Sequence, residues 1–143
     1  CLSRGLGDVY KRQDSDIGKK MLLDKLMLQK SVCFDTETTN IDSLKAELVG
    51  ISFSWEEQKG YYLTIPREES KAKEVVSFFK PFFENDQIEK VGHNLKYDFK
   101  VLSKYNVKVL GPIFDTMIAH HLINPFYQNV GAIVVFALFE RIQ

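Results

Sequence analysis

Cysteine is nearly absent from this chain of 143 residues: there are two, Cys1 and Cys33, and neither stands in a spacing that suggests a disulfide or zinc site. That scarcity excludes a disulfide scaffold and is consistent with a reducing compartment. Net charge is absent too, with 19 Lys and Arg balancing 19 Asp and Glu. No basic face acts as a long-range attractor for nucleic acid, so binding to DNA would have to use a local site. No apolar run reaches the roughly 18 residues of a membrane span. The longest, Val130 to Phe139, is too short. There is no internal repeat and no low-complexity tract. What is present is apolar and aromatic: 45% hydrophobic residues, with 11 Phe and 6 Tyr, enough for one domain with a real core.

The ends stand apart. Asp8-Val9-Tyr10-Lys11-Arg12-Gln13 can be encoded by GAT-GTG-TAT-AAG-AGA-CAG, which resembles the mosaic end of a transposase adapter, and Ser3 to Gly7 continues the likeness upstream. Residues 1–13 are therefore expected to be an adapter-derived tail outside the fold. Asp16 to Lys30 places Ile17, Met21, Leu22, Leu26 and Met27 near helical spacing, as a linker helix over 14–30 would.

The middle alternates strand and helix patterns. Ser31 to Glu37 reads as a strand, and its run Val32-Cys33-Phe34 suits burial on both faces. Glu47 to Trp55 alternates Val49, Ile51, Phe53 and Trp55 on one side, and Gly60 to Ile65 is a third strand after the turn 56–59. Short joins predict an antiparallel meander. Ala72, Val75, Val76, Phe79, Phe82 and Phe83 recur at helical intervals over Glu69 to Phe83, with Pro81 disturbing the last turn. Ile88 to Gly92 is a short strand. Asn94 to Tyr105 is a helix, Ile113-Phe114 a last strand, and Asp115 an N-cap for a helix over Thr116 to Ile123. The order βββαβαβα predicts an α/β domain with a mixed sheet: three antiparallel strands, then strands delivered by helical crossovers.

One stretch breaks the apolar logic. "FDTETT", residues 34–39, sets two carboxylates one residue apart at the end of a strand. Asp35 and Glu37 then point to one face, about 6.6 Å apart along the backbone. Like charges so placed repel unless a cation lies between them, and hard carboxylate oxygens suit Mg²⁺ or Mn²⁺. Two solvated acids at a strand end are the plain alternative. In "VGHNLKYDFKVL", residues 91–102, Asn94 and Asp98 share a helix face, with Leu95 and Tyr97 beside them.

Together with "FDTMIAHHLINP", these stretches closely resemble the 3′–5′ proofreading exonuclease domain of bacterial DNA polymerase I, a family A polymerase. That domain belongs to the ribonuclease H-like exonucleases with four acidic residues. The resemblance covers about Ser31 to Pro125. It implies that Asp35 bridges two divalent ions, Mg²⁺ or Mn²⁺. Glu37 would ligate the first ion and help position the attacking water, and Asp98 would hold the second, through water. Thr38, Ile41, Asn94 and Tyr97 match positions that touch the terminal nucleotides. An apolar side chain such as Ile41 can press on any frayed base. The implied substrate is a single-stranded DNA 3′ end, the implied partner a polymerase domain, and the implied setting the bacterial cytoplasm at the nucleoid, with no membrane.

The other candidates read as structural: Asp115 as a cap, His120 and His121 as helix-face residues, Cys33 as an inert core thiol. His93 stands where the family often has Gln. Between Ser31 and Pro125 there are 14 acidic and 11 basic residues, a balance of −3, which disfavours tight duplex binding by this domain alone. The family's fourth carboxylate lies in a Tyr-x-x-x-Asp segment well downstream of the second motif, and none follows that motif here: beyond Asp115 the only acid is Glu140. Residues 126–143 also stop resembling the family, as a frameshifted tail would. The domain over 31–125 is then incomplete, and the chain is expected to be inactive or nearly so. A ribonuclease D-like exonuclease acting on RNA and a non-catalytic scaffold domain remain as alternatives. A phosphatase of the Asp-x-Asp type fits less well, because the second acid is Glu.

Overall fold

A computed structural model describes residues 10–12 and 14–123. The expected tail over 126–143 lies outside the described residues, as do residues 1–9. Eleven elements run β1 (Tyr10–Arg12), α1 (Asp16–Leu26), β2 (Ser31–Thr38), β3 (Leu48–Glu56), β4 (Lys59–Thr64), α2 (Glu69–Phe78), α3 (Lys80–Phe83), β5 (Glu89–Gly92), α4 (Leu95–Ser103), β6 (Ile113–Asp115) and α5 (Thr116–Ile123). Six strands form one sheet in the order β1-β4-β3-β2-β5-β6. β2, β3 and β4 are an antiparallel meander, while β5 joins β2 in parallel and β6 joins β5 in parallel. This is the mixed α/β architecture expected. Tyr10–Arg12, set apart above as tail, lies parallel to β4 as an edge strand.

The phenylalanines explain where the core sits. Phe34 of β2 meets Phe83 edge to face at 5.3 Å between ring centroids, and Phe53 of β3 packs against Phe79, Phe82 and Phe83. All five rings are fully buried, each contributing about 1.5–3 kcal/mol by leaving water. Pro81 does break its helix: α2 stops at Phe78, and Pro81 sits in the first turn of α3, where its missing N–H is not needed. The break turns Phe82 and Phe83 under the sheet. α1 is capped by Ser15, whose Oγ accepts from the Gly18 N–H at 3.0 Å, and it buries Leu22 and Leu26 in the same core. It ends at Leu26, short of the Lys30 expected.

β2 is buried on one face only. Val32, Phe34 and Thr36 are buried, whereas Cys33 is half-buried and Asp35 and Glu37 are exposed. The expectation of burial on both faces fails because the other face carries the acids. Among the described residues no helix is long and apolar enough to cross a membrane.

Candidate active site

The site forms where β2 outruns its neighbour. β5 pairs with β2 only through Ser31–Cys33, so beyond Cys33 that edge is free for other groups. Asp98 of α4 takes the place of the missing strand. Its Oδ1 accepts from the Thr36 N–H at 3.0 Å and from the Thr36 hydroxyl at 2.5 Å. Thr36 lies between Asp35 and Glu37 in sequence, so the acid at 98 is anchored to the residue that separates the acidic pair. Register shifts between Glu37 and Thr38 as the strand ends.

The acids also act on one another's titration. Asp98 is 2% exposed, and burial chiefly pushes its carboxyl up to about 6; the negative charge of Asp35 adds to this, while the bonds from Thr36 oppose it. Asp35 is also raised, first by loss of hydration and then by Glu37, with His93 pulling the other way. Burial, followed by the charges of Asp35 and Asp98, pushes the Cys33 thiol up to about 12, so it is a poor nucleophile. Three carboxyl groups and a half-buried histidine thus share one electrostatic neighbourhood. Among the described residues, however, no three His, Cys, Asp or Glu side chains stand close enough to hold a metal ion as a ligand set. Both bonds from Thr36 fall on Asp98 Oδ1.

α4 reaches this place by a compact turn. Gly92 ends β5 where a Cβ would meet Leu95 at 2.4 Å and the Phe34 carbonyl oxygen at 3.0 Å, so only glycine permits the approach. Asn94 follows with φ +59°, a left-handed conformation that Asn tolerates better than most residues. It makes no side-chain cap to α4. That work falls to Asp115, at the end of β6. Its Oδ1 accepts from Asn94 N–H at 3.1 Å and its Oδ2 from Leu95 N–H at 2.8 Å. Oδ1 also accepts from Met117 N–H at 2.9 Å, which caps α5 as expected. One carboxylate holds the starts of two helices.

The remaining candidates group beside the acids. Tyr97 donates to the Asn40 carbonyl at 2.5 Å, and its hydroxyl lies 2.6 Å from Thr38 Oγ1. With Thr39 and Ile41 these residues line a shallow recess. Ile41 is 94% exposed at its rim. Asn94 is exposed and does not line that recess. His93 Nδ1 lies 3.1 Å from Thr116 Oγ1, whose own proton goes to the Gly92 carbonyl, so Nδ1 is the donor in that pair. His121 is exposed on α5; the buried Nε2 of His120 has no hydrogen-bond partner among the described residues.

Sequence inspection did not single out Thr36, the Asp115 contacts to α4, or the pull of His93 on Asp35. The only signal for Thr36 was its position inside Asp-Thr-Glu. The other two depend on contacts across the sheet.

Comparison with known proteins places this geometry. The family described as 3′-5′ exonuclease matches residues 13–130. DNA polymerase I of Borreliella burgdorferi is 37% identical over 109 residues, covering 72% of this chain and 12% of that protein. DNA polymerase I of Chloroflexus aurantiacus is 37% identical over 101 residues, covering 68% of this chain and 11% of that one. The chain therefore spans about an eighth of the length of these relatives. In fold it is similar to Brucella melitensis NrnC with bound Mg²⁺, at a TM-score of 0.67 and 21% identity over 92% of this chain and 61% of that one. Escherichia coli RNase D, described as an exoribonuclease, gives a TM-score of 0.68 and 16% identity over 92% of this chain and 33% of that one. These likenesses establish a ribonuclease H-like exonuclease fold, and the chain belongs to the 3′-5′ exonuclease family found in DNA polymerase I.

Proposed function

We propose that this domain serves hydrolysis of the terminal phosphodiester at a single-stranded DNA 3′ end, as the editing part of a polymerase. The observation that carries the reading is the placement of Asp98 on Thr36, between Asp35 and Glu37. Their carboxylate oxygens are the hard donors that suit Mg²⁺ or Mn²⁺, and beyond the larger share due to burial, the rise of Asp35 comes from Glu37 and that of Asp98 from Asp35, a repulsion that a cation would relieve. When bound, a pair of such ions would activate water and stabilise the leaving oxygen. In this reading Asp35 would hold both ions and Glu37 the first, Glu37 would orient the attacking water, and Asp98 would hold the second ion through water while its Oδ1 stays on Thr36. Thr38, Ile41, Asn94 and Tyr97 would touch the terminal nucleotides.

DNA is preferred over RNA as the substrate class because the relatives at 37% identity are DNA polymerases, whereas the likeness to RNase D is one of fold alone. A polymerase domain in the same protein would supply the grip on duplex that the balance of −3 denies this one. The bacterial cytoplasm follows from the same reading.

With no Tyr-x-x-x-Asp segment after Asp98, this chain should hydrolyse slowly or not at all. The test uses a 5′-labelled single strand with Mg²⁺. A full-length relative carrying this domain should release mononucleotides from the 3′ end and lose that activity on Asp35→Ala, while this chain leaves the strand intact. Brisk release by this chain would overturn the claim of inactivity. Failure of specific Mn²⁺ binding by the full-length protein would favour a scaffold domain instead.

A further inference from the structure

The loop between β2 and β3 carries the two most conspicuous apolar side chains near the acids, Ile41 at 94% and Leu44 at 82% exposed. Its base is closed by Thr39 N–H to the Glu47 carbonyl and Glu47 N–H to Thr39 Oγ1, both 3.0 Å. Inside it, Asn40 Oδ1 accepts from Asp42 N–H at 2.9 Å and Asp42 Oδ1 from Leu44 N–H at 3.0 Å. These local bonds shape the loop but do not tie it to the domain. The ties come from α4 and the two residues that follow it. Tyr97 donates to the Asn40 carbonyl at one end of the loop. Lys104, seven residues and two turns further on, donates from Nζ to the Leu44 carbonyl at 3.3 Å and to the Ala46 carbonyl at 2.5 Å at the other. Tyr105 adds an acceptor for the Leu48 N–H at 3.3 Å. The same helix holds Asp98 on Thr36.

We infer that Lys104 is a positioning residue, which fixes the Ile41–Leu44 tip at a set distance from the acidic pair so that it presses on the unstacked bases of a single strand. The inference rests on the nuclease reading above. Its physical basis is entropy. A lysine gives up rotamer freedom when it is held, and the carbonyl of Leu44, an exposed residue, could be satisfied by water at no such cost. What the bond to Lys104 adds is a fixed loop, with two apolar side chains presented to solvent beside a site for polyanion hydrolysis. Bases offer an apolar face whatever their identity, so a rigid apolar tip grips every sequence alike.

The test compares Lys104→Met, which keeps the apolar stem, with Lys104→Arg, which keeps a donor. Amide hydrogen exchange reads the loop over residues 40–46. Fluorescence anisotropy in Ca²⁺ reads binding of two oligonucleotides, one with a normal 3′ nucleotide and one with an abasic 3′ end. Lys104→Met should exchange these amides about tenfold faster, since an unbraced loop opens locally. It should bind the normal 3′ end about fivefold more weakly and the abasic end no differently, because only a base meets the tip. Lys104→Arg should restore both readings. Unchanged exchange in Lys104→Met, or equal weakening for both oligonucleotides, would overturn the role of Lys104 while wild-type binding leaves the nuclease reading standing. A wild-type chain that binds neither oligonucleotide removes both.

Discussion

Thr36 gives both its backbone N–H and its hydroxyl to a single oxygen of Asp98, at 3.0 and 2.5 Å, across 62 residues of sequence. Through this pair the acid on α4 is bound to the strand that carries the other two. The bond does two things at once: it places the carboxylate, and it opposes the rise in its pKa that burial causes. Strand end, helix and charge cluster are thereby one unit.

Asp98 should destabilise the metal-free protein at neutral pH. Its folded pKa is about 6 against 3.8 for an unperturbed carboxyl, so the folded state holds the proton more tightly. Stability from this group is therefore fully present below the unfolded value and is lost as pH rises through about 6. Asp98→Asn keeps an oxygen acceptor for Thr36 without the charge. It should stabilise the protein by on the order of 2 kcal/mol at pH 7 and flatten the loss between pH 4 and 6. Denaturant midpoints at several pH values check this, and equal pH profiles for the two proteins would refute it.

Thr36→Val removes the hydroxyl and leaves the N–H bond. The Asp98 carboxyl should then titrate above its wild-type value of about 6, because one of the bonds that favour the ionised form is gone. Carbon-detected NMR titration of that carboxyl measures the shift. A value that stays put or falls would show that the hydroxyl bond is electrostatically idle.

Asp115→Ala should loosen α4 and α5 together. It strips the acceptor from Asn94, Leu95 and Met117 N–H groups. Losing one cap costs about 0.5–2 kcal/mol, so two helix starts should cost about 1–4 kcal/mol. Urea unfolding reads the total, and amide exchange at residues 95–98 shows whether α4 shares in it. Protection that drops only in α5 would limit Asp115 to the role seen from sequence.

Lys90 is fully buried on β5, with its ammonium donating to the carbonyls of Asn85 and Leu110, the latter at 2.7 Å. Burial lowers its pKa from 10.5 to about 8, with Asp86 opposing. The unfolded chain then binds more protons between those values, so stability should rise as pH increases from about 8 to 10.5. In Lys90→Met that alkaline rise should vanish, as thermal melts across the range would show; a rise of equal size in the variant would contradict the assignment.

Element order and type were readable because apolar spacing is a local property. The strand over Ser31–Thr38, the apolar face of α2 with Ala72, Val75 and Val76, and the disturbance at Pro81 all follow from side chains counted along one segment. The acidic pair was readable for the same reason, since Asp35 and Glu37 share a strand and their common face is set by a period of two. The family resemblance was carried by short motifs, and the match over residues 13–130 bears it out. By contrast, one-sided burial of Cys33, the anchoring of Asp98 to Thr36, and the reach of Asp115 back to α4 depend on which strand ends first in the sheet.

The linear chain by itself decided the acids, their spacing and the elements that carry them, because backbone periodicity acts over a few residues. Tertiary structure alone decided that β5 stops pairing at Cys33, that α4 fills the vacated edge of β2, and that Lys104 and Tyr97 reach the loop over residues 39–47. Those outcomes join groups about 60 residues apart. Only packing of the whole sheet against its helices brings them within hydrogen-bonding distance, and no local preference encodes that.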